Sequence, residues 1–205
     1  KVRTTLGGLK SNQVFYEDLL ASLPQFIACG PQSAGKSSII RRVSGVSLPE
    51  ASTACTRIAT IIQMRRADVA STRVTLTGPN SNIILNESIE DNTGSVRNVV
   101  RKAQRKALKL SRKRFVEDHN ITVNVTGPDL INVTLVDLPG FHTADDEDTK
   151  AVNNMVKRYV EMPGTLVLHV VKGDQDYASL LGNDFMRKTP TYHDDEDGSA
   201  GGGRV

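Results

Sequence analysis

The segment Gly30-Pro31-Gln32-Ser33-Ala34-Gly35-Lys36-Ser37 satisfies the pattern Gly-x-x-x-x-Gly-Lys-Ser/Thr in full, and that spacing has one physical use. A loop that glycine allows to curl inward turns successive backbone N–H groups toward an anion, and the helix that follows adds its free amides and dipole. The pattern follows a short apolar run and opens a segment of helical periodicity, the context that a phosphate-cradling loop requires. In such a loop Lys36 sets a cation on the β- and γ-phosphates and Ser37 offers its hydroxyl to Mg²⁺. A second element, Asp137-Leu138-Pro139-Gly140, closes a β-branched run. A carboxylate at the carboxyl end of a buried strand beside a phosphate loop is placed to hold Mg²⁺ through water. Gly140 lets the backbone come up to a γ-phosphate where a side chain would block it.

The elements that position these residues follow from hydrophobic periodicity. Strands are expected over Gln25–Cys29, Ala59–Met64, Arg73–Thr77, Ile121–Val125, Ile131–Val136 and, fully buried, Thr165–Val171. Helices are expected over Gln13–Leu23, Lys36–Val46, Ser95–Val116, Thr149–Val160 and Tyr177–Arg187. Gly78–Asn82 and Asn92–Gly94 have turn chemistry, and residues 126–129 make Ile121–Val136 a strand–turn–strand unit. Strands alternating with helices, several of them continuous apolar runs, predict an α/β fold: a mostly parallel central sheet covered on both faces in three layers. Residues 1–24 read as a lead-in with a short helix, 25–188 as the nucleotide-binding core, and 189–205 as an acidic, then glycine-rich loop.

Composition narrows the class. At 205 residues with 38% apolar and 24% charged side chains, the chain can bury a core and is neither disordered nor fibrous. Its longest uncharged apolar run falls far short of the roughly eighteen residues of a membrane-spanning helix. Nine of the 26 cations lie between Arg97 and Arg114 with no acid among them, so with a net charge of +3 the rest of the chain carries −6. Asp145–Asp148 and Asp194–Asp197 are solid acidic blocks. Nucleic acid is therefore not an expected partner, since a nucleic-acid binder would be more evenly basic. The basic helix reads first as a solvated face or a partner for those acidic blocks, next as a membrane or protein contact, and last as a nucleic-acid contact. Cys29 and Cys55 fit a reducing compartment, Cys29 as core filler and Cys55 as a free thiol with no activating base.

The chain resembles the GTPase domain of the dynamin superfamily. The residues that carry the resemblance are Leu23-Pro24-Gln25, Gln32-Ser33-Ala34-Gly35-Lys36-Ser37-Ser38, Leu48-Pro49, Thr56-Arg57 and Asn132 through Gly140. They stand in family order over most of the chain, from about Ser22 to Lys188. The resemblance implies that Gly30, Gln32, Ser33, Ala34, Gly35, Lys36, Ser37, Ser38, Asp137 and Gly140 contact GTP. It implies that Ser37, Thr56 and Asp137 attend Mg²⁺, with Thr56 as the switch threonine facing the attacking water. Where Ras-like enzymes place a water-orienting glutamine just after the glycine, this chain has Phe141, which cannot hydrogen-bond. The resemblance gives the orienting role to Gln32, and phosphate contact with charge neutralisation to Ser33. The catalytic set is then Gln32, Ser33, Lys36, Thr56 and Gly140. His142 reads as a switch-loop surface residue, and no arginine finger presents itself.

One family element is missing. Guanine is selected by Asn/Thr-Lys-x-Asp, and Thr149-Lys150-Ala151-Val152 lacks the aspartate and lies on an expected helix. Family spacing would start that motif at or just beyond Val205, so the chain is expected to be an amino-terminal part of the domain. The resemblance implies Mg²⁺-dependent GTP hydrolysis serving membrane fission, fusion or organelle division. It also implies self-association through GTPase domains, a cytoplasmic location and peripheral membrane contact through regions outside this chain. Two other readings stand: another P-loop NTPase, including one that uses ATP, and a catalytically silent nucleotide-binding assembly module.

Overall fold

A computed structural model describes residues 24–49, 56–89, 94–140, 146–162 and 164–173. The strands are β1 (Gln25–Cys29), β2 (Ile58–Arg66), β3 (Ser71–Thr77), β4 (Ile83–Ile89), β5 (Val116–Gly127), β6 (Val133–Asp137) and β7 (Thr165–His169), and the α-helices are α1 (Lys36–Ser44), α2 (Gly94–Ser111) and α3 (Glu147–Val160). The helices expected over Gln13–Leu23 and Tyr177–Arg187, and the tail after them, lie outside the described residues.

The seven strands form one sheet in the order β4-β3-β5-β2-β6-β1-β7. β6, β1 and β7 run parallel, as do β2 and β5, while β2–β6, β3–β5 and β3–β4 are antiparallel. The sheet is thus mixed, and its purely parallel part is the β6-β1-β7 portion that carries the phosphate loop. Side-chain alternation along β1 divides the core into two layers. Ala28 belongs to one layer, which also holds Ile40 of α1 and Val96, Val100, Ala103 and Ala107 of α2. Ile27 and Cys29 pack on the other face with Val152, Met155, Val156 and Tyr159 of α3. Helices therefore cover both faces, the three-layer α/β arrangement expected.

Several local expectations are corrected. The expected strand–turn–strand unit is present, but β5 and β6 are not neighbours in the sheet, because β2 lies between them and pairs with both. The helix expected to run to Val116 stops at Ser111, after which Arg112 takes a left-handed conformation with φ 55° and Val116 opens β5. β4 was not foreseen: its Asn86 and Glu87 are poor strand formers, and its stability comes from pairing with β3. β7 is shorter than expected and not fully buried, with Leu166 51% and Leu168 36% exposed. It ends the sheet among the described residues, so one of its faces lacks the cover a central strand has. α3 starts two residues early because the Asp146 side chain accepts from the Thr149 N–H at 2.8 Å, an N-cap backed by Glu147 and Asp148 in the first turn.

Candidate nucleotide site

The site forms where β1 and β6 end side by side. Parallel pairing sets Ala28 opposite Asp137, so the loop after β1 and the carboxylate ending β6 emerge at the same sheet edge. Gly30 leaves β1 at φ +149°, and a methyl group placed on it would overlap the carbonyl oxygen of Val170. The chain leaving β7 is thus pressed against the start of the loop, and the Val170 N–H donates to the Cys29 carbonyl at 2.7 Å. Gly35 takes φ 97° and begins α1 with no side-chain cap and no acidic residue in the first turn. The amides of that turn are left to an anion. Ser33 also has a positive φ of 61°, which brings the loop around. Ala34, Ser33 and Gln32 line the loop, and Ser38 is exposed in the first turn of α1.

Lys36 lies under this loop, 6% exposed. Its Nζ donates to the Gly30 carbonyl at 3.1 Å and the Pro31 carbonyl at 2.7 Å. Burial pushes its pKa down, opposed by Asp137 and Cys29. Asp137, 2% exposed, accepts at Oδ2 from the hydroxyls of Ser37 and Thr56, both at 2.8 Å. Its Oδ1 is buried with no hydrogen-bond partner. Burial pushes the Asp137 carboxyl up, against the Ser37 and Thr56 hydrogen bonds and the nearby Lys36. Each charged group is thus desolvated beyond what its neighbours repay, which suits a pocket that receives a phosphate at one and a cation at the other.

Gly140 completes the wall: its α-carbon packs on the backbone of Gln32 and beside Lys36 Nζ. The structure thereby gathers Gly30, Gln32, Lys36, Ser37, Thr56, Asp137 and Gly140, drawn from three separate stretches of sequence, into one site. Arg57 contributes its carbonyl to the Val116 N–H at 2.9 Å, tying the Thr56 segment to β5. Cys55, Phe141 and His142 lie outside the described residues. Thr149-Lys150-Ala151-Val152 sits in the first turns of α3, not at a strand end. The contact between Gly30 and the Val170 carbonyl was missed in the sequence, where its only sign is the glycine that the loop pattern already requires.

A family model described as the Dynamin family matches residues 27–193. The chain is 26% identical over 184 residues to the interferon-induced GTP-binding protein Mx2 of Homo sapiens, covering 87% of this chain and 25% of that protein. It is 26% identical over 170 residues to phragmoplastin DRP1A of Arabidopsis thaliana, covering 77% and 26%. It is 27% identical over 188 residues to dynamin-related protein 12A of Glycine max, covering 86% and 28%. The chain therefore spans about a quarter of the length of these relatives. With the matched stretch running from inside β1 past the end of β7 and enclosing the whole phosphate loop and Asp137–Gly140 site, the chain belongs to the dynamin family.

Proposed function

We propose that this chain is the nucleotide-binding core of a large GTPase, which binds GTP with Mg²⁺ and cleaves the γ-phosphate by in-line attack of water. The observation that carries it is the meeting of the Ser37 and Thr56 hydroxyls on Asp137 Oδ2 while Oδ1 stays buried and unpartnered. The donor set is all oxygen, the kind that suits Mg²⁺ rather than a softer metal. The orphaned Oδ1 is a polar atom that a hydrated cation would satisfy. When bound, Mg²⁺ would supply charge neutralisation on the phosphate oxygens, held by Ser37, Thr56 and Asp137.

The chain's own residues do the remaining work. Loop amides and the amino end of α1 hold the phosphates, and Lys36 exchanges the Gly30 and Pro31 carbonyls for phosphate oxygens. Thr56 and Gln32 orient the water, Ser33 helps neutralise the charge that builds, and Gly140 brings backbone up to the γ-phosphate. Such a reaction asks for positioning and charge stabilisation more than for a protein base. The name of the human relative as a GTP-binding protein supports guanine as the base. In the whole protein we assign GTPase-domain self-association, a cytoplasmic location with peripheral membrane contact, and membrane remodelling.

Lys36→Ala in the whole protein tests the site by titration with fluorescent GTP. Binding should vanish, and affinity retained in the micromolar range would overturn the assignment. Titrating this chain with GTP and ATP in parallel tests the base. Equal affinities would place guanine selection outside these 205 residues, and a marked GTP preference would place it within them.

A further inference from the structure

Helix α2 lays Val96, Val100, Ala103 and Ala107 on the sheet, and this fixes what its opposite ridge presents. Arg101, Arg105 and Lys109 recur at i, i+4 and i+8 along about 12 Å of axis, and Arg112 follows directly after the helix end, all four exposed. Their neighbours on the flank are engaged. Lys102 pairs with Glu87 and Lys106 donates to the Ile84 carbonyl, both on β4, and at the far end Arg114 pairs with Asp148. The four ridge cations have no side-chain hydrogen bond or ion pair among the described residues, and no acid lies between Arg97 and Arg114. Like charges at i,i+4 weaken a helix, and mixed signs would keep the surface solvated equally well. Solvation alone does not call for an unmixed row.

We propose that this ridge docks on an anionic phospholipid surface. A ridge is convex, so a plane of headgroups can touch all four cations at once. A nucleic-acid duplex is convex too and would have to take the helix into a groove. α2 is not free to enter one, because Lys102 and Lys106 fasten it along β4 and the sheet stands behind it. The ridge also has no aromatic side chain on which a single strand could stack. Three of the four cations are arginines, whose forked donors match phosphate oxygens. The described residues outside Arg97–Arg114 carry eleven cations and ten acids, so the positive charge is concentrated on this helix and an anionic plane is drawn to it first. The apolar stripe is already committed to the core, so the contact is electrostatic, without insertion, and weakens with salt.

The test is flotation of this chain with phosphatidylcholine vesicles containing about 30 mol% phosphatidylserine, against phosphatidylcholine alone, at low and high salt. The chain should float with the anionic vesicles only, and less at high salt. Replacing all four ridge cations by glutamine, a good helix former, should lower partitioning at least about tenfold, with an unchanged circular dichroism melt. If that variant unfolds, Arg105→Gln with Lys109→Gln provides the weaker form of the same loss. Arg66→Gln with Arg73→Gln, exposed cations away from α2, should float like the parent. Equal flotation of parent and ridge variants overturns the proposal, as does failure to bind anionic vesicles at low salt. Displacement from the vesicles by a short DNA duplex at equal phosphate concentration also overturns it, in favour of nucleic acid.

Discussion

The α-carbon of Gly140 stands against the backbone of Gln32, so that a methyl group on Gly140 would lie 2.6 Å from both the Cα and the N of Gln32 and 2.9 Å from Lys36 Nζ. Two loops that end different strands are thereby locked edge to edge, and backbone cannot yield as a flexible side chain would. Gly140→Ala must spread them. The cost is about 1–3 kcal/mol of stability, together with a loss of nucleotide affinity of at least about tenfold as the phosphate cradle opens. Thermal melts and calorimetric titration check the two effects separately. Unchanged affinity in Gly140→Ala would mean that the loops do not share the ligand.

The hydroxyl of Thr56 is separable from its bulk. Thr56→Val keeps the shape and removes one of the two donors to Asp137 Oδ2. If Thr56 acts on the attacking water, single-turnover GTP cleavage should fall about a hundredfold, while nucleotide affinity changes less than about tenfold. Thr56→Ser, which restores the hydroxyl, should recover most of the rate. A valine variant that cleaves at the parental rate would reduce Thr56 to a packing residue.

What could be read in the sequence was whatever is encoded locally. Gly30 through Ser37 announce the loop because backbone geometry there demands glycine at fixed steps, and the all-buried Val133–Asp137 announces a central strand by the β-branched and apolar residues that lead up to Asp137. Thr56 became visible only through the resemblance, since its link to Asp137 spans 81 residues. β4 was invisible for a similar reason: Ile83–Ile89 carries Asn86, Glu87 and Ser88, and only β3 makes it a strand. The twelve-residue β5 was cut short because Glu117-Asp118-His119-Asn120 reads as loop. There the register against β2 jumps from Ile58↔Val116 to Ala59↔Asn120, a bulge that no periodicity records. The insertion of β2 between β5 and β6 is pure topology, and turn residues at 126–129 cannot tell a hairpin from a strand that crosses to a farther slot.

Outside the site, Tyr159 fastens α3 to β5. Its hydroxyl donates to Asn120 Oδ1 at 2.7 Å while the ring is buried with Met155 and Val160. Tyr159→Phe keeps the packing and deletes the bond, so urea unfolding should show a loss of about 0.5–1.5 kcal/mol. Nucleotide affinity should stay at the parental value, because α3 contributes no side chain to the phosphate loop. A drop in affinity without a drop in stability would reveal a coupling between α3 and the site.

Cys29 gives the pH dependence a sign that can be checked. It ends β1 at 1% exposed, and burial pushes its thiol up to about 12, opposed by the neighbouring Lys36, against 9.0 when unfolded. The native state therefore keeps a proton that the unfolded chain gives up. Its contribution is complete below 9.0 and is lost as pH rises toward about 12, at up to roughly 1.4 kcal/mol per pH unit. Cys29→Ala removes that slope at the cost of a small cavity. In a Cys55→Ser background, where only one thiol titrates, the variant should be the less stable protein near pH 8, and the gap should close as pH passes about 9. Iodoacetamide near neutral pH should leave Cys29 unmodified until the chain is unfolded. A stability gap that stays constant across this range, or ready labelling of the native protein, would mean that the carboxyl end of β1 opens to water and that the loop it holds is less rigidly placed than the packing of Gly30 on Val170 requires.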